Sequence, residues 1–199
     1  MAGYPIDSIL KVVRTAPNAA AGWKRLRALC QRHWPSPLWT SFHGIQPTDD
    51  AVAAATWLRA QLGVAGRQQA VCGVYLGLDT LNMEGPAGTN VEIGTTAASR
   101  PAALDIDWVY ELPWYGSSHL IAGLRAMHNE YARPEWAKLF EIAGYVLFLG
   151  YSGVVLAEAA AAVRWPRRSL LVWGFHDGDL FILRRGQRVG FERLAAISG

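Results

Sequence analysis

The sequence predicts an α+β fold, with a helical N-terminal third, an antiparallel sheet with flanking helices and a C-terminal β-hairpin. Three observations point there. Up to about residue 62, apolar residues recur at three- and four-residue spacing, the period of a helix with one buried face. From about residue 70, short apolar runs alternate with Gly- and Pro-rich turns, which suits strands. Near the end, SLLVWGFHDGDLFILRR sets Asp177-Gly178 between two apolar runs, a two-residue hairpin signal.

The elements follow in order. Ile6–Arg14 and Ala20–His33 read as helices. In the second, Trp23, Leu26, Leu29 and Cys30 form the apolar stripe, and Pro35 and Pro37 end it. Thr48 or Asp49 caps a third helix, Asp50–Leu62, which Gly63 is expected to terminate. Ala70–Leu78 and Asn90–Thr95 read as strands. In Ala103–Leu112, Leu104, Ile106, Trp108, Tyr110 and Leu112 alternate with Asp105, Asp107, Val109 and Glu111, a strand with one acidic face. Ser117 or Ser118 opens a helix to about Glu130, and Pro134 opens another to about Ile142. Gly150, Ser152 and Gly153 then break an apolar stretch into a strand, Tyr145–Leu149, and a helix, Val154–Val163. In the hairpin, Trp173 and Phe175 are expected to share a face with Leu180 and Ile182, and Val172 with Phe181 and Leu183.

At 199 residues the chain suits a single α+β domain, with 1–65 a helical basic segment packed on a mixed segment, 66–199. An apolar fraction of 51% with 18% charged residues excludes a disordered chain. Ala143–Val163 is long and apolar enough to span a bilayer, but its Gly/Ser break and Glu158 argue against a span. MAGYPIDSILKVV lacks the basic-then-apolar order of a signal peptide, so the expectation is a cytoplasmic protein with no membrane partner. Cys30 and Cys72 show neither a disulfide framework nor metal spacing, and no cofactor or metal is expected.

Charge falls in three blocks. Residues 1–78 carry eight Lys or Arg against three Asp or Glu; residues 79–158 carry four against ten; residues 159–199 carry seven against three. The formal net charge of +3 hides an acidic centre between basic ends, and such separation steers partners. Because the basic charge is not uniform, no nucleic acid partner is expected.

Two constellations invite chemistry. Gly150-Tyr151-Ser152-Gly153 has the look of a strand–turn–helix nucleophile elbow, yet Val154 stands where the motif wants Gly. The later His176 and Glu158 are poorly placed to serve Ser152, so a tight turn is favoured. Asp105 and Asp107, with His119 or His128, could hold a divalent metal, but a third ligand is not identifiable. The favoured functional surface is instead a partner-binding face of Asp105, Asp107 and Glu111 beside Trp114 and Tyr115. Carboxylates next to aromatic anchors suit protein interfaces.

In general character the chain resembles the immunity proteins of bacterial secreted (polymorphic) toxin systems. The segments CGVYLGLDTLNMEG, GTNVEIGTT, DIDWVYELPWYG and AGYVLFLGYSG give that look, and no functional residue is carried over from it. The resemblance implies a toxin inhibitor: a cytoplasmic binding protein that neutralises a cognate bacterial toxin by occluding its active site, here through the acidic-aromatic surface. The alternative is a small hydrolase using Ser152 or a carboxylate-bound metal. A third reading is a scaffold subunit whose apolar hairpin pairs with a neighbour.

Overall fold

The computed structural model describes residues 5–78, 90–97, 107–109, 111–131, 133–166, 169–175, 180–185 and 192–193. Backbone contacts group the chain into two compact units, Met1–Ala54 with Ile121–Ala159, and Ala55–Leu120 with Ala160–Gly199. The first is helical and the second holds the sheet, so the fold is α+β as expected. The helical part is discontinuous in sequence, drawing on both the N-terminal third and the long segment before residue 160.

The helical unit contains α1 (Ile6–Thr15), α2 (Ala19–His33), a 3-10 helix (Pro37–Gly44), the start of α3 (Pro47–Gln68), α4 (Ala122–Tyr131) and most of α5 (Pro134–Ala161). α1 and α2 match the expected spans. α3 does not stop at Gly63. It runs on to Gln68 and so buries Ala65 completely, which offsets the roughly 1 kcal/mol that an interior glycine costs a helix.

The larger correction is α5. The expected helix, strand, break and helix over residues 134–163 are one helix, Pro134–Ala161. Its glycine is a packing device. A Cβ on Gly150 would meet Leu26 Cδ2 at 2.8 Å and Ile9 Cγ2 at 3.2 Å, and one on Gly22 of α2 would meet Val154 Cγ1 at 2.6 Å. Small residues thus let α1, α2 and α5 approach closely, and the backbone of α5 stays helical throughout. The most apolar part, Ala143–Ala161, has a length and composition that would suit a bilayer, but 83% of its most apolar window is buried inside the protein. Its one charged residue, Glu158, accepts a hydrogen bond from the Ala19 N–H at 2.5 Å, satisfying an orphan donor where α2 begins.

Aromatic rings fill the rest of this unit. Tyr151 meets Trp23 edge-on at 5.0 Å, Trp23 lies 6.2 Å from Phe42, and Phe42 stacks on Trp136 at 4.8 Å. Cys30 is fully buried beside them in sequence and depth, as its stripe position predicts. Burial pushes its thiol up to about 12, against a weaker opposing backbone hydrogen bond. A disulfide-exchange reagent at pH 8 is therefore expected to leave Cys30 unmodified in the folded protein and to label it once denaturant is added. Fast labelling of Cys30 without denaturant would contradict this burial.

The second unit holds a seven-stranded sheet: β1 (Gly73–Leu78), β2 (Asn90–Thr96), β3 (Trp114–Tyr115), β4 (His119–Leu120), β5 (Leu170–Phe175), β6 (Leu180–Arg185) and β7 (Glu192–Arg193). The order is β3-β2-β1-β5-β6-β7, with β4 also paired to β2. The sheet, expected to be antiparallel, is mixed, because β1 runs parallel to β5 while its other pairings are antiparallel. Both central strands are buried at every position, which explains their unbroken apolar runs.

Two further expectations change. The β5–β6 pairing places Trp173 opposite Phe181 and Gly174 opposite Leu180, one residue away from the register of an Asp177-Gly178 turn. The faces therefore exchange partners. Trp173 lies with Phe181, ring centroids 5.1 Å apart, and Val172 lies with Leu180 and Ile182. Residues 176–179 themselves lie outside the described residues. Within the expected strand 103–112, residues 103–106 and 110 lie outside the described residues, and Asp107–Val109 form a 3-10 turn. The cause of the turn is burial. Trp108, Val109 and Leu112 all pack on one core cluster with Tyr75, Leu170, Val172, Leu180 and Ile182. A strand would send Trp108 and Val109 to opposite faces, whereas a turn lets both point to this core.

Candidate functional site

Only part of the expected acidic strand face lies among the described residues. Asp105 lies outside the described residues, and the backbone of Asp107 belongs to the 3-10 turn. Glu111, beyond that turn, is exposed. Trp114 is half-buried and Tyr115 is 54% exposed. The structure thus keeps Glu111, Trp114 and Tyr115 on one short segment and removes the strand alternation that grouped Asp107 with Glu111.

What holds Trp114 and Tyr115 is the outer edge of the sheet. β2 is lined there by two short strands in succession. Thr95 pairs with Trp114 and Gly94 with Tyr115, while Val91 pairs with His119 and Asn90 with Leu120. The sequence has one more residue between Tyr115 and His119 than β2 has between Gly94 and Val91, so the edge bulges at Gly116–Ser118. The expected helix start at Ser117 or Ser118 is displaced to Ala122 by this second edge strand.

The bulge has a geometric consequence. Cross-strand partners share a face, and Gly94 and Asn90 lie on the same face of β2. Tyr115 and Leu120 therefore project from one side of the sheet, which an unbulged strand would forbid. Leu120 is 41% exposed, and with Tyr115 and Val52 it completes the exposed large apolar side chains among the described residues.

Two residues of α3 fix the bulge. Trp57 Nε1 donates to the Ser117 carbonyl at 3.0 Å. Gln61 Oε1 accepts from the Ser117 N–H at 3.2 Å, and Gln61 Nε2 donates to Ser117 Oγ at 2.8 Å. The Gly116 N–H returns to the Ile93 carbonyl at 2.9 Å. The Trp57 ring also stacks on His119, centroids 5.2 Å apart with planes inclined at 20°. The polar groups that a bulge removes from the ladder are thus satisfied by side chains, and the edge is held in one shape.

Of the hydrolase candidates, the Ser152 arrangement is not assembled. Ser152 is fully buried in the middle of α5, and its hydroxyl donates to the Leu149 carbonyl at 3.0 Å. The strand-to-helix turn of a nucleophile elbow is missing there. His176 and Asp177 lie outside the described residues. Among the described residues no group of three His, Cys, Asp or Glu is placed to hold a metal ion. His128 belongs to the helical unit and His119 to the sheet unit.

One buried polar centre was missed in the sequence. Asp50, 7% exposed, does not act on its own helix alone. Its two oxygens accept from the Ala122 N–H at 3.1 Å, the Gly123 N–H at 2.8 Å and the Tyr151 hydroxyl at 2.7 Å. It caps α4 from a residue far away in sequence. Gly123 is obligatory at this spot, because a Cβ would fall on the Tyr151 ring. Asp50 borders a cavity of about 370 Å³ whose lining includes Asp49, Phe42 and Glu130. A signal existed: Asp50, Ala54 and Leu58 share one buried i, i+4 stripe, and an Asp on such a stripe requires donors.

Burial, and then the charge of Asp50, holds the Tyr151 hydroxyl well above the ordinary phenol range. The folded protein therefore keeps this proton while the unfolded chain, with an ordinary phenol, loses it near pH 10. The resulting stability is present in full below pH 10 and declines as pH rises beyond it. Absorbance titration is expected to give identical native curves for wild type and Tyr151→Phe up to about pH 11. In denaturant the wild type ionises one more tyrosine. A native difference near pH 10 would contradict the burial.

No family model matches the chain, and no curated protein or solved structure matches it.

Proposed function

We propose that the chain is a binding protein that docks another protein along the β3–β4 edge and acts by occluding it. The partner is a bacterial toxin, the class that the general resemblance of the sequence implies. One observation carries the reading: the bulge turns Tyr115 and Leu120, two exposed apolar side chains, to the same side of a braced sheet edge. The exposed aromatic and aliphatic side chains of this edge supply anchors for a partner. Glu111 stands exposed just before this edge and favours basic side chains on the partner. The bracing by Trp57 and Gln61 lowers the ordering cost of docking. The hydrolase reading loses its nucleophile, because Ser152 is sealed within α5.

Tyr115→Lys/Leu120→Lys is the test, since both side chains point outward and the fold should tolerate them. Co-expression with a toxic domain encoded by a neighbouring gene is expected to give growth with the wild-type chain and none with the double variant. Affinity should fall about 100-fold, as for loss of two central anchors. Full protection by the variant would rule out this edge.

A further inference from the structure

The helical unit contains a second cavity, of about 380 Å³, with a lining opposite in charge to that around Asp50. Lys24, Arg27 and Gln31 of α2 form one wall; their spacing of three, four and seven places them on one side of that helix. Ser36, Thr40 and His43, from the start and body of the 3-10 helix, form the other. No Asp or Glu lines it. The surrounding sequence is equally one-sided, for Ser8–Thr48 carries six Lys or Arg, His33 and His43, and no acidic residue.

Arg27 is the unusual member. Its guanidinium carbon lies 5.6 Å from the centroid of the Trp23 ring. Its Nε is buried and meets no hydrogen-bond acceptor among the described residues. Burial draws its pKa below the ordinary arginine value, which signals a charge lacking compensation. Trp23 is itself clamped by Tyr151 and Phe42, so the ring that supports the guanidinium is fixed before any ligand arrives. Gln31 is also oriented. Its Oε1 accepts from the Ser36 N–H at 3.3 Å, which leaves its amide nitrogen as a donor.

We infer that this cavity binds a small molecule through a phosphate group, with Arg27 and Lys24 neutralising its charge and His43 and Gln31 as further donors. Two positive charges, that of Arg27 held over Trp23, with no acidic residue in the lining, match a phosphate monoester, which carries about −1.5 to −2 at neutral pH; a single carboxylate would leave a surplus. The volume lies low in the range of small-molecule sites, which run from roughly 300 to 1,000 Å³. Trp39, Pro37 and Ala28 add apolar surface for the remainder of such a molecule. The site is independent of the sheet edge and belongs wholly to the helical unit.

The test is a titration of the full chain with inorganic phosphate, ribose 5-phosphate and ribose at constant ionic strength, followed by the tryptophan indole N–H signals and by calorimetry. Saturable shifts are expected with both phosphates and none with ribose. Arg27→Gln should weaken binding at least about tenfold and Lys24→Gln about threefold, as charge-assisted hydrogen bonds are lost. Arg67→Gln, exposed near the end of α3, should bind as wild type. If Arg27→Gln does not fold, Lys24→Gln and Arg27→Lys answer the same question, because planar two-point contact is lost in the lysine variant while charge remains. Shifts that never saturate, that acetate reproduces, or that survive in all these variants would overturn the assignment. Tighter binding of a DNA oligonucleotide than of ribose 5-phosphate, abolished by Arg27→Gln, would also overturn it in favour of a polyanion surface.

Discussion

Asp50→Ala is expected to destabilise the protein by about 3 kcal/mol, the cost of losing a helix cap and leaving buried donors unpaired. Three donors converge on this side chain: the first N–H groups of α4 and the Tyr151 hydroxyl. Alanine cannot reach them. Tyr151→Phe removes one donor with its bond and should cost about 1 kcal/mol. Asp50→Asn should fall between the two, since one amide oxygen remains to accept but its NH₂ faces donors. Denaturant unfolding monitored by tryptophan emission gives the order. Equal stability of Asp50→Ala and wild type would show that the three bonds do not hold α4 in place.

Gly150→Leu is expected to be as damaging for the opposite reason. Even a Cβ at this position falls within 2.8 Å of Leu26 Cδ2, so a leucine must drive α2 away from α5. Overpacking of this kind costs about 1–3 kcal/mol for added methylenes, and leucine adds several beyond the first carbon. Helix propensity predicts the reverse sign, because leucine favours a helix by nearly 1 kcal/mol over glycine. The sign of the change therefore separates close helix packing from a glycine placed to interrupt a chain. A stabilised Gly150→Leu protein would support the interruption.

That same glycine shows where the sequence is readable and where it stops. α1 and α2 were legible because an amphipathic stripe on a surface helix is a local property of the chain. α5 was not, since a helix apolar on every side carries no stripe, and glycines that admit a neighbouring helix look identical to glycines that end one. The apolar character of both faces of the β5–β6 hairpin was legible, but its register was not. A one-residue change in the connection exchanges the partners of Trp173 without altering any local preference. The alternation expected at 107–109 failed because Trp108 and Val109 were both claimed by one core cluster, a tertiary demand that alternation does not reveal.

The site divides in the same way. Trp114 and Tyr115 stood out by their chemistry, and the structure places them at a sheet edge with Tyr115 outward. Leu120 was invisible as their companion, because only the bulge aligns it with Tyr115. The brace from Trp57 and Gln61 comes from residues some 60 positions earlier in the chain. Asp50 was readable in principle, as a carboxyl on an apolar stripe, but its partners at Ala122, Gly123 and Tyr151 were not.

Hydrogen–deuterium exchange with and without the proposed partner, a toxic domain encoded by a neighbouring gene, tests the docking surface most directly. A partner docked on this edge would cover the segment that carries β3 and β4. The expected result is slowed exchange across residues 111–120 on binding, with the helical unit unchanged. Protection confined to other segments, with 111–120 exchanging as in the free chain, would contradict recognition through this edge.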